Sequence, residues 1–231
     1  MQTANFWASL LVVSSVLPLA PAHAGIVSVS GAAVMGAAPG SVVPNAGLES
    51  NTSATVFGEQ HNLMLTQAAV VNASTPGLFN SLASLTPGSI AMGTVVNSYY
   101  LHADPVGSSS TVYTYAGSVT FDSDILGLAG LNDQLFGTQF LGALGTIYPT
   151  AFTVNGVELD GTDSFRISND RRSLDFRFLA WAGADSLRVI TAGNASAVPE
   201  PGAAGLVFAA LGALVLARRQ PLAKAGCGAS G

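Results

Sequence analysis

The stretch FRISNDRRSLDFRFLAW, residues 165–181, decides the fold class of this chain. Within it, Leu174, Phe176 and Phe178 alternate with residues that face the other way. A period of two is typical of a half-buried β-strand. The polar run 168–173 separates this strand from a shorter β-rich stretch before it. The sequence therefore predicts a β-hairpin with one face in a hydrophobic core.

Further β-rich stretches lie between turn signals on both sides of the hairpin. Residue types that strands prefer are gathered at 55–57, 62–65, 94–101, 111–121 and 186–191. Helical patterns are few, and the sequence leaves undecided whether 78–85 and 131–144 form short helices. The sequence predicts a mostly β ectodomain over residues 25–197, folded as a β-sandwich or jelly roll. Its Gly- and Ser-rich opening, 25–53, is either poorly ordered or a first irregular strand.

Composition narrows the class of protein. Only 9% of the 231 residues are charged and 26 are glycine, whereas an average soluble domain has roughly 25% charged residues. The apolar residues are scattered rather than gathered in repeated long runs, which argues against a polytopic membrane protein. Disorder is also disfavoured, because 49% hydrophobic residues can bury enough apolar surface to offset the entropy of ordering the chain.

The charge distribution and the cysteine count exclude two further classes. The net charge is −5, and no Lys or Arg precedes Arg166. The chain offers no basic stripe for a phosphate backbone, so nucleic acid is excluded as a partner. Cys227 is the only cysteine, which excludes a disulfide framework and a zinc site built on thiolates.

The N-terminus has the pattern of a signal peptide. An apolar stretch covers residues 6–19 and is followed by the small-x-small triplet Ala22-His23-Ala24. This apolar stretch is too short to span a bilayer core of about 30 Å, but it matches the hydrophobic region that precedes signal peptidase cleavage. We therefore predict that residues 1–24 are removed after Ala24, although no Lys or Arg precedes the stretch.

The C-terminus combines a Pro-Glu-Pro motif, a short apolar run and paired arginines, in the order Val198, Pro199, Glu200, Pro201, 202–217, Arg218 and Arg219. The apolar run predicts one transmembrane helix, because arginine side chains can snorkel and the bilayer can thin around a short helix. The arginines orient it with the tail 220–231 in the cytoplasm and the ectodomain outside.

This C-terminal arrangement resembles the PEP-CTERM sorting signal of Gram-negative bacteria. The resemblance implies that Val198, Pro199, Glu200 and Pro201 are recognised by exosortase and that Arg218 and Arg219 are the stop signal. It also implies a cell-surface or extracellular protein, anchored or released, and a link to exopolysaccharide or biofilm. The ectodomain segments 93–105, 117–127 and 185–191 resemble a recurrent group of PEP-CTERM ectodomains without an established activity.

Two aspartates at a strand end form the candidate metal site. Asp122 and Asp124 flank Ser123 and could offer hard oxygens to Ca²⁺, with Asp104 or Asp133 as a third ligand. The central Gly and closing Glu of an EF-hand loop do not appear at the right offsets. The alternative is that these side chains cap turns, in which case the protein uses no cofactor.

Carboxylates and histidines are the candidates for catalysis. Glu158, Asp160 and Asp163 could perform glycosidase chemistry if two of them lie at the required separation. The alternative is a solvated loop turning at Asp160. His61 and His102 could bind a metal, but they lie far apart in sequence and lack a third partner, so core-edge positions are the alternative.

Aromatic residues are the candidates for binding. Trp181 and the tyrosines Tyr99, Tyr100, Tyr113 and Tyr115 could form a platform on which sugars stack, or they could be core residues of a sandwich.

Three functional hypotheses follow. The first is a non-enzymatic surface or matrix protein sorted through its C-terminal signal. The second is a carbohydrate-binding β-sandwich, assisted by calcium or not. The third is an extracellular glycan hydrolase that uses the carboxylates of 158–163.

Overall fold

The computed structural model describes residues 25–107, 111–150 and 155–194. The predicted signal peptide with its cleavage residues, the Pro-Glu-Pro motif and the paired arginines lie outside the described residues. The same holds for the apolar run 202–217, where we predict the transmembrane helix. In the part of the chain that the structure describes, no helix is long and apolar enough to cross a membrane.

The described residues are mostly β, as the sequence predicts. Their strands are β1 Ile26–Gly31, β2 Ala33–Met35, β3 Ala54–Met64, β4 Ala69–Val71, β5 Gly77–Ser81, β6 Gly88–Ile90, β7 Val95–Ala103, β8 Tyr113–Phe121, β9 Ile125–Ala129, β10 Asp160–Ile167, β11 Ser173–Ala180 and β12 Asp185–Ala192. One short helix, α1, covers Asn132–Gly137, and 3₁₀ turns cover Leu82–Ser84 and Gln139–Leu141.

Ten of these strands form two five-stranded sheets. The first sheet has the order β1-β8-β11-β10-β5 and the second has the order β2-β3-β7-β12-β9. Strands β4 and β6 pair separately. The pairs within the sheets are antiparallel except β2 with β3. The chain crosses between the two sheets several times, among them after β1, β7, β8, β9 and β11.

The predicted hairpin is confirmed. Strands β10 and β11 pair in antiparallel register, with Phe165 opposite Phe176 and Ile167 opposite Leu174. The inward residues of β11 are buried and Asp175 is exposed. The alternation in the sequence therefore corresponds to one face in the core and one face in solvent.

Both sheets contribute to one hydrophobic core, which makes the arrangement sandwich-like. The second sheet supplies Val56, Leu101 and Val189, and the first supplies Val119 and Phe178, all of them closed to solvent. Apolar side chains of this size contribute roughly 1.5–3 kcal/mol each when fully buried. This shared core stabilises the two sheets against each other.

Two strands, β1 and β2, lie in the opening segment, for which the sequence predicts poor order or an irregular first strand. Strand β1 pairs with β8 through an irregular register, and β2 pairs with β3 in the second sheet. Gly31 lies at the crossing with a φ of +66°, and a Cβ there would lie 2.4 Å from the Ala116 carbonyl oxygen. Only glycine fits this crossing without displacing backbone.

Of the two stretches that the sequence leaves undecided between helix and other structure, one contains an α-helix and the other does not. Within 131–144, α1 and the 3₁₀ turn that follows it cover the outer face of the second sheet, with Leu135 and Leu141 buried. The stretch 78–85 is not a helix but β5 and a 3₁₀ turn, because Phe79 pairs with Phe165 at the sheet edge.

An ion pair is buried between β3 and β12 on the outer face of the second sheet. Arg188 Nε and Nη2 donate to the two carboxylate oxygens of Glu59 at 2.7 and 2.8 Å, and both side chains are 0% exposed. Arg188 Nη1 donates to Leu135 O and Thr138 Oγ1. Burial is the largest single influence and lowers the pKa of Arg188, but the Glu59 carboxylate, Tyr100 and Tyr148 together raise this pKa, so the guanidinium stays charged.

A β-bulge and two tyrosine rings support this ion pair. Glu59 is the extra residue where the register of β3 against β7 shifts between Gly58 and Gln60. A bulge re-aims side chains, and here Glu59 meets Arg188 while Gln60 donates to carbonyls of the covering segment. The Arg188 Cζ atom lies 5.2 and 5.3 Å from the ring centroids of Tyr100 and Tyr148.

Candidate functional site

A cleft of about 380 Å³ lies where the chain crosses from β11 in the first sheet to β12 in the second. We call it the Trp181 cleft and define it by Pro44, Glu158, Leu179, Trp181 and Asp185, which line it with the small residues between them. Its volume falls within the range of roughly 300–1,000 Å³ that small-ligand sites have.

The crossing loop places an indole on the wall of the cleft. Trp181 follows β11 directly and is 49% exposed. A tryptophan usually buries most of its large apolar ring in the free protein. The half-exposed ring of Trp181 therefore offers a flat apolar surface to a ligand.

Asp185 brings a buried carboxyl to the same cleft. Asp185 is the first residue of β12 and is 7% exposed. Its Oδ2 atom has no hydrogen-bond partner in the described part of the protein. Burial is the largest cause that raises the pKa of Asp185 well above its ordinary value, followed by the charges of Asp163 and Glu158. A buried carboxyl of this kind favours its neutral form.

Glu158 lines the cleft from the segment that leads into β10, whereas Asp163 lies in β10 itself and is not a lining residue. Gly156 bridges to Ser186 at the start of β12, and a Cβ on Gly156 would lie 2.5 Å from the Gly130 carbonyl oxygen. This close approach brings the exposed Glu158 beside Asp185. Only glycine permits it.

Asp163 is a positioning residue for the cleft. Its Oδ2 accepts a hydrogen bond from the Glu158 N–H at 3.1 Å, and its Oδ1 accepts one from the Leu179 N–H at 2.8 Å. Burial raises the pKa of Asp163, and these two hydrogen bonds oppose the rise. The carboxylate thus ties the Glu158 segment to the end of β11.

Asp160, the third carboxylate of the predicted set, stays outside the cleft. Its Oδ1 accepts hydrogen bonds from Thr162 N–H and Oγ1–H, which lower the pKa of the exposed Asp160. The next residue, Gly161, has a φ of +102°, and both residues lie at the start of β10, where its pairing with β5 is irregular. The Asp163 carboxylate thus contacts the Glu158 backbone, whereas Asp160 is an exposed residue at the start of β10 and not in a turn.

The Asp185→Asn variant is expected to be more stable than the wild type at pH 8. The raised pKa means that Asp185 contributes stability below its unfolded pKa of about 3.9, and that this stability is lost as the pH rises through the folded pKa. Asn carries no charge at any pH. We expect a gain of about 1 kcal/mol, or roughly 2–4 °C in Tm for a domain of this size, that shrinks as the pH approaches 4.

Thermal unfolding followed by circular dichroism at pH 4, 6 and 8 measures this difference. Asp160→Asn is the matched control, because the pKa of Asp160 is lowered and its removal should bring no gain at pH 8. An equal gain for Asp185→Asn at pH 4 and pH 8 would contradict the assignment.

The aspartates proposed for calcium take other partners. Asp122 Oδ2 accepts a hydrogen bond from the Gly25 N–H at 2.8 Å, and Asp124 pairs with Arg172 at 3.4 Å. Asp104 Oδ2 accepts from a distant loop, and Asp133 lies in the first turn of α1. In the ranges that the structure describes, no group of three or more His, Cys, Asp or Glu residues could hold a metal ion.

The predicted histidine candidates have different environments, because His61 is exposed and His102 is buried. His61 packs edge-on against Tyr99, with ring centroids 5.5 Å apart. His102 Nδ1 lies 2.9 Å from Ser186 Oγ, and its Nε2 lies 3.8 Å from Asp104 Oδ2. The sequence does not predict this Ser-His-Asp set. His102 and Ser186 are fully buried. A nucleophile must reach its substrate, so the set is a structural network.

The predicted aromatic platform does not form. Tyr99, Tyr100 and Tyr115 are buried, and Tyr113 packs against the core. Among the five aromatic candidates, Trp181 lines the cleft. The tyrosines are therefore core residues or pack against the core. Of the five candidates, Trp181 alone is placed where it could stack on a sugar.

Comparison with known proteins leaves the cleft to be interpreted from its own chemistry. No protein-family model matches this chain. No curated protein and no solved structure matches it either.

Asp185 is the cleft residue that sequence reasoning missed. The sequence signal that could have found it is an acidic residue directly before 186–191, a stretch predicted to be a strand. An acid in that position usually caps a turn. Here the covering segments bury it.

Proposed function

We propose that this chain is an exported surface protein whose β domain binds carbohydrate in the Trp181 cleft without turning it over. The observation that carries the binding proposal is the half-exposed indole of Trp181 beside the buried carboxyl of Asp185. The export proposal rests on the order of motifs at the two ends of the sequence.

Export follows from the resemblance to PEP-CTERM proteins. Signal peptidase would act after Ala24 and exosortase at the Pro-Glu-Pro motif. The apolar run 202–217 would anchor the chain, for a time or permanently, with the domain outside the cell. A partner in this location is an exopolysaccharide, which agrees with a sugar-binding cleft.

The mature protein recovered from culture is expected to begin at Gly25, because signal peptidase cleaves after small-x-small triplets. Intact mass spectrometry reports this cleavage and any C-terminal processing in one measurement. Ala24→Phe is the matched variant and should retain the leader. A mature N-terminus that still carries Met1, or a protein left soluble in the cytosol, would contradict the export proposal.

The chemistry of the cleft suits a sugar. Aromatic rings stack on the apolar C–H face of a sugar, and carboxyl groups exchange hydrogen bonds with its hydroxyls. The Trp181 cleft combines one such ring with Glu158 and Asp185. Asp163 holds the Glu158 segment and the end of β11 in place from behind.

Trp181→Ala is expected to weaken glycan binding by the purified domain at least tenfold, which corresponds to about 1.4 kcal/mol. The loss follows from removal of the stacking surface. A glycan array identifies a ligand, and isothermal titration calorimetry measures its affinity. Phe136→Ala is the matched control, because Phe136 is 48% exposed on α1 and is not a lining residue of the cleft.

Two outcomes decide the binding proposal. It is wrong if the domain binds no glycan, or if Trp181→Ala binds as tightly as the wild type. Loss of binding in a chelator would assign a role to calcium.

A glycan hydrolase is the second candidate, favoured by one observation. A glycosidase needs a neutral carboxyl beside an ionised one, and the raised pKa of Asp185 beside the exposed Glu158 offers such a pair. The same oligosaccharides that bind should then be cleaved, with turnover abolished in Glu158→Gln. Binding without release of reducing ends supports the non-enzymatic proposal.

A further inference from the structure

We propose that the Trp181 cleft selects uncharged sugars and rejects acidic ones, with Asp185 acting as a neutral hydrogen-bond donor to a sugar oxygen. This inference rests on the proposed carbohydrate binding and names the class of ligand. It depends on the charges around the cleft and on the position of one carboxyl group.

The ionisable groups that line the cleft in the described part of the chain are both acidic. Glu158 and Asp185 line it, and in the described part of the chain no Lys or Arg lines it. The nearby Arg177 donates to the Thr162 carbonyl, and Arg188 is held by Glu59. A uronate or a sulfate in the cleft would therefore meet the exposed Glu158 carboxylate without a cation to compensate it.

Asp185 has no positive neighbour in this environment. The titratable groups that face it are Asp163 from β10, Glu158 from the segment before β10, and Tyr115 from β8. Its Oδ2 is closed to solvent and has no donor among the described residues. An ionised Asp185 would leave a buried charge uncompensated, and a bound proton removes that cost.

A neutral carboxyl group changes what the cleft can bind. A carboxylate only accepts hydrogen bonds, whereas a carboxylic acid has one O–H donor. In the free protein a proton on Oδ2 lacks an acceptor, because this atom has no hydrogen-bond partner among the described residues. A hydroxyl or ring oxygen of a sugar stacked on Trp181 supplies one. The raised pKa of Asp185 agrees with this role.

The experiment compares a neutral hexose oligosaccharide with the uronic acid oligosaccharide of the same stereochemistry. Calorimetry at pH 5 and pH 8 measures both affinities for the wild-type domain. We expect the neutral sugar to bind at least tenfold more tightly at pH 5. Its affinity should fall as the pH rises through the raised pKa of Asp185, because the group then loses its proton.

Two variants of Asp185 separate a donor from an acceptor. Asp185→Asn keeps an N–H donor, so its affinity for the neutral sugar should vary less than twofold between pH 5 and pH 8. Asp185→Leu has no donor and should lose at least tenfold in affinity at pH 5. Asp160→Asn is the control for removal of an acid outside the cleft, and it should behave as the wild type does. Glu158→Gln should narrow the preference for the neutral sugar.

Each outcome bears on a different proposal. Equal or tighter binding of the uronic acid sugar overturns this inference and leaves carbohydrate binding intact. A tenfold loss in Asp185→Asn at pH 5, with unchanged circular dichroism, identifies Asp185 as an acceptor and also overturns it. Binding of neither class of sugar overturns the proposed function together with this inference.

Discussion

Arg188→Met is expected to destabilise the domain by about 3–5 kcal/mol, because it leaves the Glu59 carboxylate buried without its cation. Arg188 donates hydrogen bonds to both carboxylate oxygens of Glu59 and also holds Leu135 and Thr138 of the segment that covers the second sheet. The variant loses these contacts as well. Urea unfolding followed by fluorescence measures the change in the free energy of unfolding.

Two control variants test the physical reason for this loss. Arg172→Met removes the partner of Asp124 from an exposed ion pair, with side chains 53% and 51% exposed, and should cost less than about 1 kcal/mol. The double variant Glu59→Leu/Arg188→Met removes both charges, so it should cost less than Arg188→Met alone. A double variant that loses as much as the sum of the single variants would show that packing, not the stranded charge, dominates.

Phe165→Ala is expected to destabilise the domain by about 3–5 kcal/mol, the usual range for a buried phenylalanine. Phe165 is fully buried, pairs across β10 and β11 with Phe176, and lies 5.4 Å from Phe79, measured between ring centroids. Truncation leaves a cavity between the hairpin and the edge strand β5. The same urea experiment measures the loss.

Phe136→Ala provides the matched comparison for this core truncation. The chemical change is identical, but Phe136 is 48% exposed on α1, so we expect a loss of about 1 kcal/mol or less. Phe165→Leu, which keeps most of the apolar volume, should cost less than about 1.5 kcal/mol. Similar losses for the buried and the exposed alanine variants would place Phe165 outside the stabilising core.

The length of a strand decided whether the sequence could predict it. Strands β7, β8, β11 and β12 coincide closely with predicted stretches, because eight or nine residues show alternation and β propensity clearly. Strands β4, β5, β6 and β9 have three to five residues and were missed. The two predicted stretches 55–57 and 62–65 are one strand, because bulges in β3 interrupt its alternation.

The candidate site was predicted in pieces. Glu158, Asp163 and Trp181 each drew attention for their chemistry, but in separate hypotheses. The structure joins them because the chain crosses between the sheets after β11, next to the segment that leads into β10. Asp185 completes the cleft, and its burial depends on neighbours that are remote in sequence.

The sequence by itself determined the β class, the hairpin with its inward face and the acidic balance of the chain, because side-chain alternation and composition are local properties. Tertiary structure decided the pairing of Glu59 with Arg188, 129 residues apart, and the meeting of Trp181 with Asp185 and Glu158. The physical reason is that strand order, one bulge and one crossing loop set these distances. Such long-range geometry leaves no periodic signal in the chain.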